Sequence, residues 1–472
     1  MGADVYFNSG AEVASDPERR ELGCLLRATR PLRAGELVLR EPPLLRVTGC
    51  GIPPPEVASP ASALRAARLF VPGSDSAVVE RLRAEARGDE NEESFYMRTV
   101  LHFNSFAAGY GGSDRVAFAT LARANHSCLP NCIVDGDEGT LRALRDIEPG
   151  DDLTISYLSD AALLWPRHRR QVELAQRWDF VCGCERCSAP LDDARRLGRC
   201  PADGCDGELL AAGAARGPPV LCARCGAVPN ENKARVLLSE ESAAVRALER
   251  AQNDYLEEED QGQELIRCHR FASKYPTHAV ALELAHDFAF PEVLPAQQVI
   301  LDGLKCILPG LPCQLAVDAG RQLAELLAGR GDVKAAREAL EAAAGAACIL
   351  DGYKDTGEVL EGWGRLRPRP GTDCSIGPPG RPQGQPDLDL DLGPAPLRPA
   401  ANGLPAMDAS TQEPGAECTG RSQAQQEDTV LRPTVRIWEL LAAQWTLPAT
   451  LAAAVAAAAV AGALVRRHRG RA

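Results

Sequence analysis

The sequence predicts an α+β protein: a strand-rich N-terminal part with a helical insert, a zinc-binding cysteine segment, and an α-helical C-terminal domain. Three observations carry this. Residues 22–48 and 115–157 alternate apolar and polar positions between turn residues, the period of half-buried strands. Cysteines crowd into C-x-C and C-x-x-C spacings between residues 182 and 225, as metal ligands do. From Glu240 to about Trp363 the apolar residues recur at helical spacing.

The elements follow in order. Residues 22–48 read as short strands joined by a turn at Gly35-Glu36, and the Pro-rich stretch 53–60 reads as loop. From Ala61 to about Phe103 the pattern is helical, with Leu64, Ala67, Leu69, Val78, Val79 and Leu82 as core candidates. Arg115 to Tyr157 returns to strand and turn and ends in Gly150-Asp-Asp-Leu-Thr-Ile-Ser-Tyr157, a turn feeding a β-branched strand. A helix is expected from Trp165 to about Trp178. The strand-rich part with its insert is placed at 1–180, the cysteine segment at 181–230 and the helical domain at 231–363.

Within the helical domain, Leu323, Leu326 and Leu327, then Gly331-Asp332, then Ala335, Ala339, Leu340 and Ala343 form a helix–turn–helix pattern. Its small residues suit either a tetratricopeptide-like (TPR-like) pair or an ordinary α-hairpin. Cys268, Cys306, Cys313 and Cys348 fall in helical, apolar patterns and read as buried thiols. Residues 364–430 are rich in Pro, Gly, Asp and Gln and too poor in apolar residues to offset chain entropy, which predicts a disordered linker. The repeat Asp387 to Leu392 reads as part of that linker or as an acidic docking motif. Thr446 to Val465 is uncharged and of bilayer length, preceded by Trp438 and Trp445 and followed by Arg466, Arg467, Arg469 and Arg471. It reads as a transmembrane tail anchor or as a soluble Ala-rich helix, since Ala adds little insertion energy.

At 472 residues with a formal net charge of -13, the chain is long enough for two or three domains and too acidic for broad adhesion to nucleic acid. The seventeen cysteines do not imply a secreted disulfide scaffold. Met1 to Gly10 lacks a signal peptide's basic start and apolar core, and tight cysteine spacings suit thiolates in a reducing compartment. Cytoplasm or nucleus is the expected location.

Four strings stand in a telling order. They are Arg123-Ala-Asn125-His126-Ser-Cys128-Leu-Pro-Asn131-Cys132, then Gly150 to Tyr157, then Arg167-His-Arg-Arg-Gln171, then Trp178-Asp-Phe180-Val-Cys182-Gly-Cys184-Glu-Arg-Cys187. In these strings the chain resembles the SET-domain protein-lysine methyltransferases, specifically the SET-and-MYND (SMYD) branch. The resemblance covers residues 20–190 closely and continues more loosely to about 360. It implies a SET β-fold with a threaded active site and a zinc-binding post-SET segment. It further implies S-adenosylmethionine as cofactor and a protein substrate, histone or non-histone, that presents a lysine.

Carried over by position, the resemblance makes Tyr157 the catalytic tyrosine beside the methyl group and target amine. It places Gly23, Asn104, Asn125, His126, Tyr157 and Phe180 at the cofactor, and Trp178 and Phe180 around the lysine channel. Position 178 usually carries Tyr. Cys182, Cys184 and Cys187 supply three thiolates of a tetrahedral structural zinc, and the resemblance names Cys128 as the fourth. Cys200, Cys205, Cys222 and Cys225 have four-thiolate zinc-ribbon spacing of their own.

Two departures stand out. The family's Gly-x-Gly opening is Gly23-Cys24-Leu25 here, and a side chain at position 25 narrows the cofactor pocket or forces another backbone path. Leu22 stands where a cationic residue is common. No Cys or His lies between Cys50 and Asn91, so the MYND finger cannot be built. The leading expectation is a lysine methyltransferase. The alternative is a catalytically weak SET-like scaffold that binds a protein partner; direct nucleic-acid binding lacks a basic patch.

Overall fold

Strand pairing joins segments far apart in sequence, and the candidate site lies where that pairing is least local. A computed structural model describes residues 6–7, 10–15, 24–48, 58–73, 75–85, 90–109, 114–212, 218–253, 258–288, 294–352 and 359–360. Gly23, the 364–430 linker and Thr446–Val465 lie outside the described residues, so the expectations on them have no structural counterpart. Among the described residues no helix is long and apolar enough to cross a membrane.

The N-terminal strands are β1 (Tyr6–Phe7), β2 (Ala11–Ser15), β3 (Cys24–Ala28), β4 (Leu37–Arg40) and β5 (Leu45–Val47). The predicted turn before β4 is confirmed by Gly35, whose φ of 80° favours glycine. The insert follows as α1 (Ala58–Ala66), α2 (Ala77–Ala84) and α3 (Glu92–Asn104). The latter two start on Ser76 and Asn91, whose side chains accept from Val79 N–H and Ser94 N–H. Then come β6 (Ser105–Ala108), β7 (Asp114–Ala117), a 3-10 turn at Leu121–Arg123, β8 (Asn125–His126), β9 (Cys132–Asp135), β10 (Thr140–Ala143) and β11 (Asp152–Ile155). Three sheets result, ordered β1-β4-β10-β9, β2-β3-β11-β8 and β5-β7-β6. In the second, β11 runs antiparallel to β3, with Leu153 opposite Leu26, and parallel to β8, with Thr154 opposite Asn125. Leu26, Leu32, Leu39, Phe118, Leu141, Leu153 and Ile155 build the core of this part.

Downstream lie α4 (Asp160–Leu163), α5 (Arg167–Trp178) and α6 (Glu185–Ser188). A fourth sheet among the described residues, flanked by cysteines, joins β12 (Leu191–Arg199), β13 (Glu208–Ala212) and β14 (Val220–Cys222). The helices are α7 (Glu231–Ala251), α8 (Glu258–Lys274), α9 (Ala279–Glu283) with a π-turn at Leu284–Phe288, α10 (Leu294–Ile307), α11 (Gln314–Gly329) and α12 (Val333–Asp351).

The described residues divide into two compact units, one of residues up to Leu237 together with those from Tyr275 onward, the other Leu238–Lys274. In the smaller unit Arg250 pairs with Glu264 at 2.8 Å and Lys274 with Glu240 at 2.7 Å. In the larger unit a second core joins Leu158, Leu163 and Leu174 to Leu282, Ile300, Leu304 and Ile307. Helices α11 and α12 form the expected pair about Gly331, with φ 83°. A Cβ added to Gly320 would sit 2.8 Å from that of Ala343, so the crossing needs glycine there. Of the expected helix-pair residues, Leu323, Leu340 and Ala343 are core, whereas Leu326, Leu327, Ala335 and Ala339 are half-buried and Ala336 takes an inner place. Cys268 and Cys313 are buried as read, but Cys306 and Cys348 are only half-buried, because they sit at the edges of their helix faces.

Candidate active site and metal centres

Tyr157 lies just past β11 and packs against both cores of the larger unit. Its hydroxyl donates to the Ala124 carbonyl at 3.1 Å, and its backbone N–H donates to His126 Nδ1 at 3.0 Å. Three aromatic rings surround it, with centroids at 5.4 Å for His126, 5.4 Å for Trp178 and 6.2 Å for Phe180, the last edge-on. Burial pushes the phenol up, so it remains a neutral donor well beyond neutral pH. Burial also pushes His126 down to about 4, which keeps the imidazole uncharged at neutral pH.

The backbone that carries these groups is pinned by two polar residues. Glu41 is buried and its carboxylate accepts from Thr120 N–H at 2.8 Å and Leu121 N–H at 2.6 Å, capping the 3-10 turn that leads into Asn125. Asn131 is also buried. Its Oδ1 accepts from Thr154 N–H at 2.7 Å and its Nδ2 donates to the Asp152 carbonyl at 2.9 Å, fastening β11 to the Asn-His-Ser-Cys segment.

Trp178 and Phe180 flank Asp179, which ends α5 in the left-handed conformation at φ 63°. The insert secures that helix end. Arg81 donates to the Gln176 carbonyl at 2.6 Å and His102 Nε2 to the Arg177 carbonyl at 2.7 Å, satisfying groups a helix terminus leaves open. Trp178 packs against Val78, Val79, Leu82, Phe95 and Phe103 of the insert. Asn104 is placed differently from Asn125 and His126. Its amide donates to the Phe70 and Val100 carbonyls at 2.7 and 2.8 Å and accepts from Phe70 N–H at 3.1 Å, so both of its hydrogens serve the insert. Leu25 is 1% exposed, opposite Ala14 in the β2–β3 pair.

The ligand atoms of Cys128, Cys182, Cys184 and Cys187 lie within 4.8 Å of one another, and so do those of Cys200, Cys205, Cys222 and Cys225. The Sγ···Sγ separations of 3.6 Å for Cys128–Cys187, 3.6 Å for Cys200–Cys225 and 3.8 Å for Cys205–Cys222 match the edge of a zinc tetrathiolate. That edge is about 3.8 Å for Zn–S bonds of about 2.3 Å. The donor sets therefore fit a metal. The first set is embedded in the second core, with Cys128, Cys182 and Cys187 buried.

The Arg167–Gln171 string has a structural role the spacing did not disclose. Arg170 is wholly buried, reaching the Trp165 carbonyl at 2.5 Å and Cys187 Sγ at 3.7 Å, where its charge offsets that of clustered thiolates. Gln171 Nε2 donates to the Cys182 carbonyl at 2.9 Å, and Arg167 to the Ala189 and Leu191 carbonyls at 2.5 and 2.9 Å. Arg186, between two ligands, is bidentate to Asp193 at 2.7 and 2.9 Å. A run of arginines before a cysteine motif was the only available signal, and no partner could be named from it.

Residues 23–158 match the SET domain family, so this part of the chain is a SET domain. Over 89 residues the chain is 41% identical to histone-lysine N-methyltransferase SET5 of Meyerozyma guilliermondii, covering 18% of this chain and 18% of that protein. It is 39% identical over 82 residues to human histone-lysine N-methyltransferase SMYD3, covering 17% of this chain and 18% of the relative. To protein-lysine N-trimethyltransferase SMYD5 of Danio rerio it is 37% identical over 81 residues, 16% of this chain and 20% of the other. The chain thus spans about a fifth of the length of these curated relatives. The solved SET domain of LSMT bound to lysine and AdoHcy matches 75% of this chain and 94% of that chain. Its 12% identity and TM-score of 0.27 are too weak a likeness to carry a structural argument.

Proposed function

We propose that the chain is a protein-lysine N-methyltransferase that uses S-adenosylmethionine. The observation that carries the reading is Tyr157, a buried hydroxyl among His126, Trp178 and Phe180, reached by a SET strand. The relatives' names support the same activity. S-adenosylmethionine supplies an electrophilic methyl on a sulfonium. Asn125 fits a group placed here, because its buried Nδ2 has no partner among the described residues. Asn125 and His126 hold the cofactor side of the site with Phe180. The resemblance alone adds Gly23 and Asn104 to that side, and Trp178 and Phe180 form the lysine channel.

Displacement at a methyl group moves charge without creating it, so alignment is the main task. The aromatic rings exclude water from the incoming ammonium, whose ordinary pKa is about 10.4, and favour its neutral, nucleophilic form. Tyr157 orients the amine lone pair through its hydroxyl. Cys128, Cys182, Cys184 and Cys187 would hold one zinc ion and Cys200, Cys205, Cys222 and Cys225 a second, which would cross-link the post-SET segment and the ribbon. The substrate is a protein with an exposed lysine, histone or non-histone. The thiolate clusters fit the cytoplasm or nucleus. Membrane anchoring rests on the sequence of Thr446–Val465 alone.

Leu25 favours a second reading, a SET-like scaffold that binds a protein partner without methylating it, since its buried side chain replaces a glycine of the family pattern. Calorimetric titration with S-adenosylmethionine separates the two. Binding is expected, and no heat at high cofactor concentration leaves only the scaffold. Given binding, Tyr157→Phe is expected to lower methyl transfer to a mixed protein extract by about 10²-fold or more. Unchanged transfer refutes the role given to the hydroxyl.

A further inference from the structure

We propose that His126 is a positioning residue that couples the first cysteine cluster to Tyr157, its imidazole held as the Nε2–H tautomer. The ring sits between Tyr157 and Phe180, with centroids at 5.4 and 6.0 Å. A backbone N–H can only donate, so the Tyr157 N–H at 3.0 Å makes Nδ1 an acceptor and leaves the ring hydrogen on Nε2. Nε2 lies 3.3 Å from Cys128 Sγ, within reach of an N–H···S hydrogen bond. The two nitrogens thus face opposite partners, a metal-ligand sulfur and the residue that carries the reactive hydroxyl.

The coupling follows from what each partner requires. A thiolate fixed in a metal tetrahedron is a charged acceptor in one place, and a charge-assisted hydrogen bond from Nε2–H locks ring orientation and tautomer together. A free thiol at Cys128 rotates and accepts weakly, so loss of the metal releases the ring. The Tyr157 N–H then loses its acceptor at the point where the chain leaves β11. The side chain of His126 is consequently committed within the protein, and its service at the cofactor is by backbone and ring face.

This inference rests on the methyltransferase reading only in calling Tyr157 reactive; the tautomer and the link to the cluster stand apart from it. The test uses the full chain loaded with ¹¹³Cd and ¹⁵N-labelled histidine. His126 is expected to show an unprotonated Nδ1 and a protonated Nε2 coupled across the hydrogen bond to the cadmium of the first cluster. A protonated Nδ1 overturns the proposal, and this reading of the unaltered chain does not depend on any variant folding. His126→Phe and His126→Asn are each expected to shift the first-cluster cadmium resonance and leave the second in place. Both should weaken metal binding at the first cluster by about tenfold in chelator competition. His126→Asn keeps an acceptor for Tyr157 N–H but falls short of Cys128, so its kcat should exceed that of His126→Phe with similar KM. An unmoved first-cluster resonance in both variants refutes the link. A chain that transfers no methyl group yet shows the tautomer and the coupling sinks the enzyme reading and leaves this one standing.

Discussion

Asn131 shows how one side chain can hold a site together without touching its chemistry. Its amide satisfies Thr154 N–H and the Asp152 carbonyl, and Thr154 lies opposite Asn125 in the parallel β8–β11 pair. Asn131→Ala strands a partly buried backbone donor and acceptor at once, each costing about 1–3 kcal/mol when unmet. The variant should lose about 2–4 kcal/mol in urea unfolding. Asn131→Asp keeps the acceptor and should fall between it and the parent; equal midpoints for all three would contradict the account. The sequence displayed Asn131 inside its most informative string yet offered no partner for it, because Thr154 stands 23 positions away and only strand pairing brings them together. Asn125 with His126, Tyr157, and Phe180 were legible because each lies in a short local string of its own. The commitment of Asn104 to Phe70 was not, since it depends on the path of the loop after α1.

At the scale of elements, helix ends decide the geometry of the aromatic cluster. Asp179 adopts the left-handed conformation usual for glycine at a helix end, turning the chain between Trp178 and Phe180. Asp179→Gly should leave stability within about 1 kcal/mol of the parent, whereas a β-branched Asp179→Val should cost about 2 kcal/mol. Thermal unfolding checks both, and a harmless valine would show that the turn is not strained.

A second helix end predicts a pH effect. The Asp160 carboxylate accepts from Leu315 N–H at 3.1 Å at the start of α11, and burial pushes its pKa above the ordinary value. A raised folded-state pKa contributes stability that is full below the unfolded pKa of about 3.9 and is lost as pH rises through the folded value. Asp160→Asn removes the desolvated charge and keeps the oxygen. It should gain stability relative to the parent as pH rises from 4 to 7, and a parallel pH profile for the two proteins would refute this. The sequence placed α5 and the α11–α12 pair within a few residues because apolar spacing marks them. It could not show that α4 caps α11 from more than 150 positions away.

For the whole molecule, the two cysteine clusters differ in what surrounds them, and this difference predicts their order of metal release. Cys128, Cys182 and Cys187 belong to the core that also holds Leu174, Leu282 and Leu304, so opening that site means opening the larger unit. In the ribbon Cys225 is exposed and Cys205 half-buried at turns beside β12–β14, where local opening is enough. Cysteine spacing revealed the ribbon set and three ligands of the other, the resemblance supplied Cys128, and neither showed their unequal burial, which depends on helices far downstream in the chain. A chromophoric chelator should therefore release zinc in two steps from the loaded protein. The first equivalent should leave quickly with little change in aromatic circular dichroism near 280 nm. The second should leave slowly, together with the near-ultraviolet signal of the Tyr157–Trp178 cluster. Cys225→Ser should abolish the fast phase alone. Release of both equivalents in one phase, or a fast phase that removes the aromatic signal, would show that the ribbon is not an independent metal site and that the aromatic cluster does not depend on the buried one.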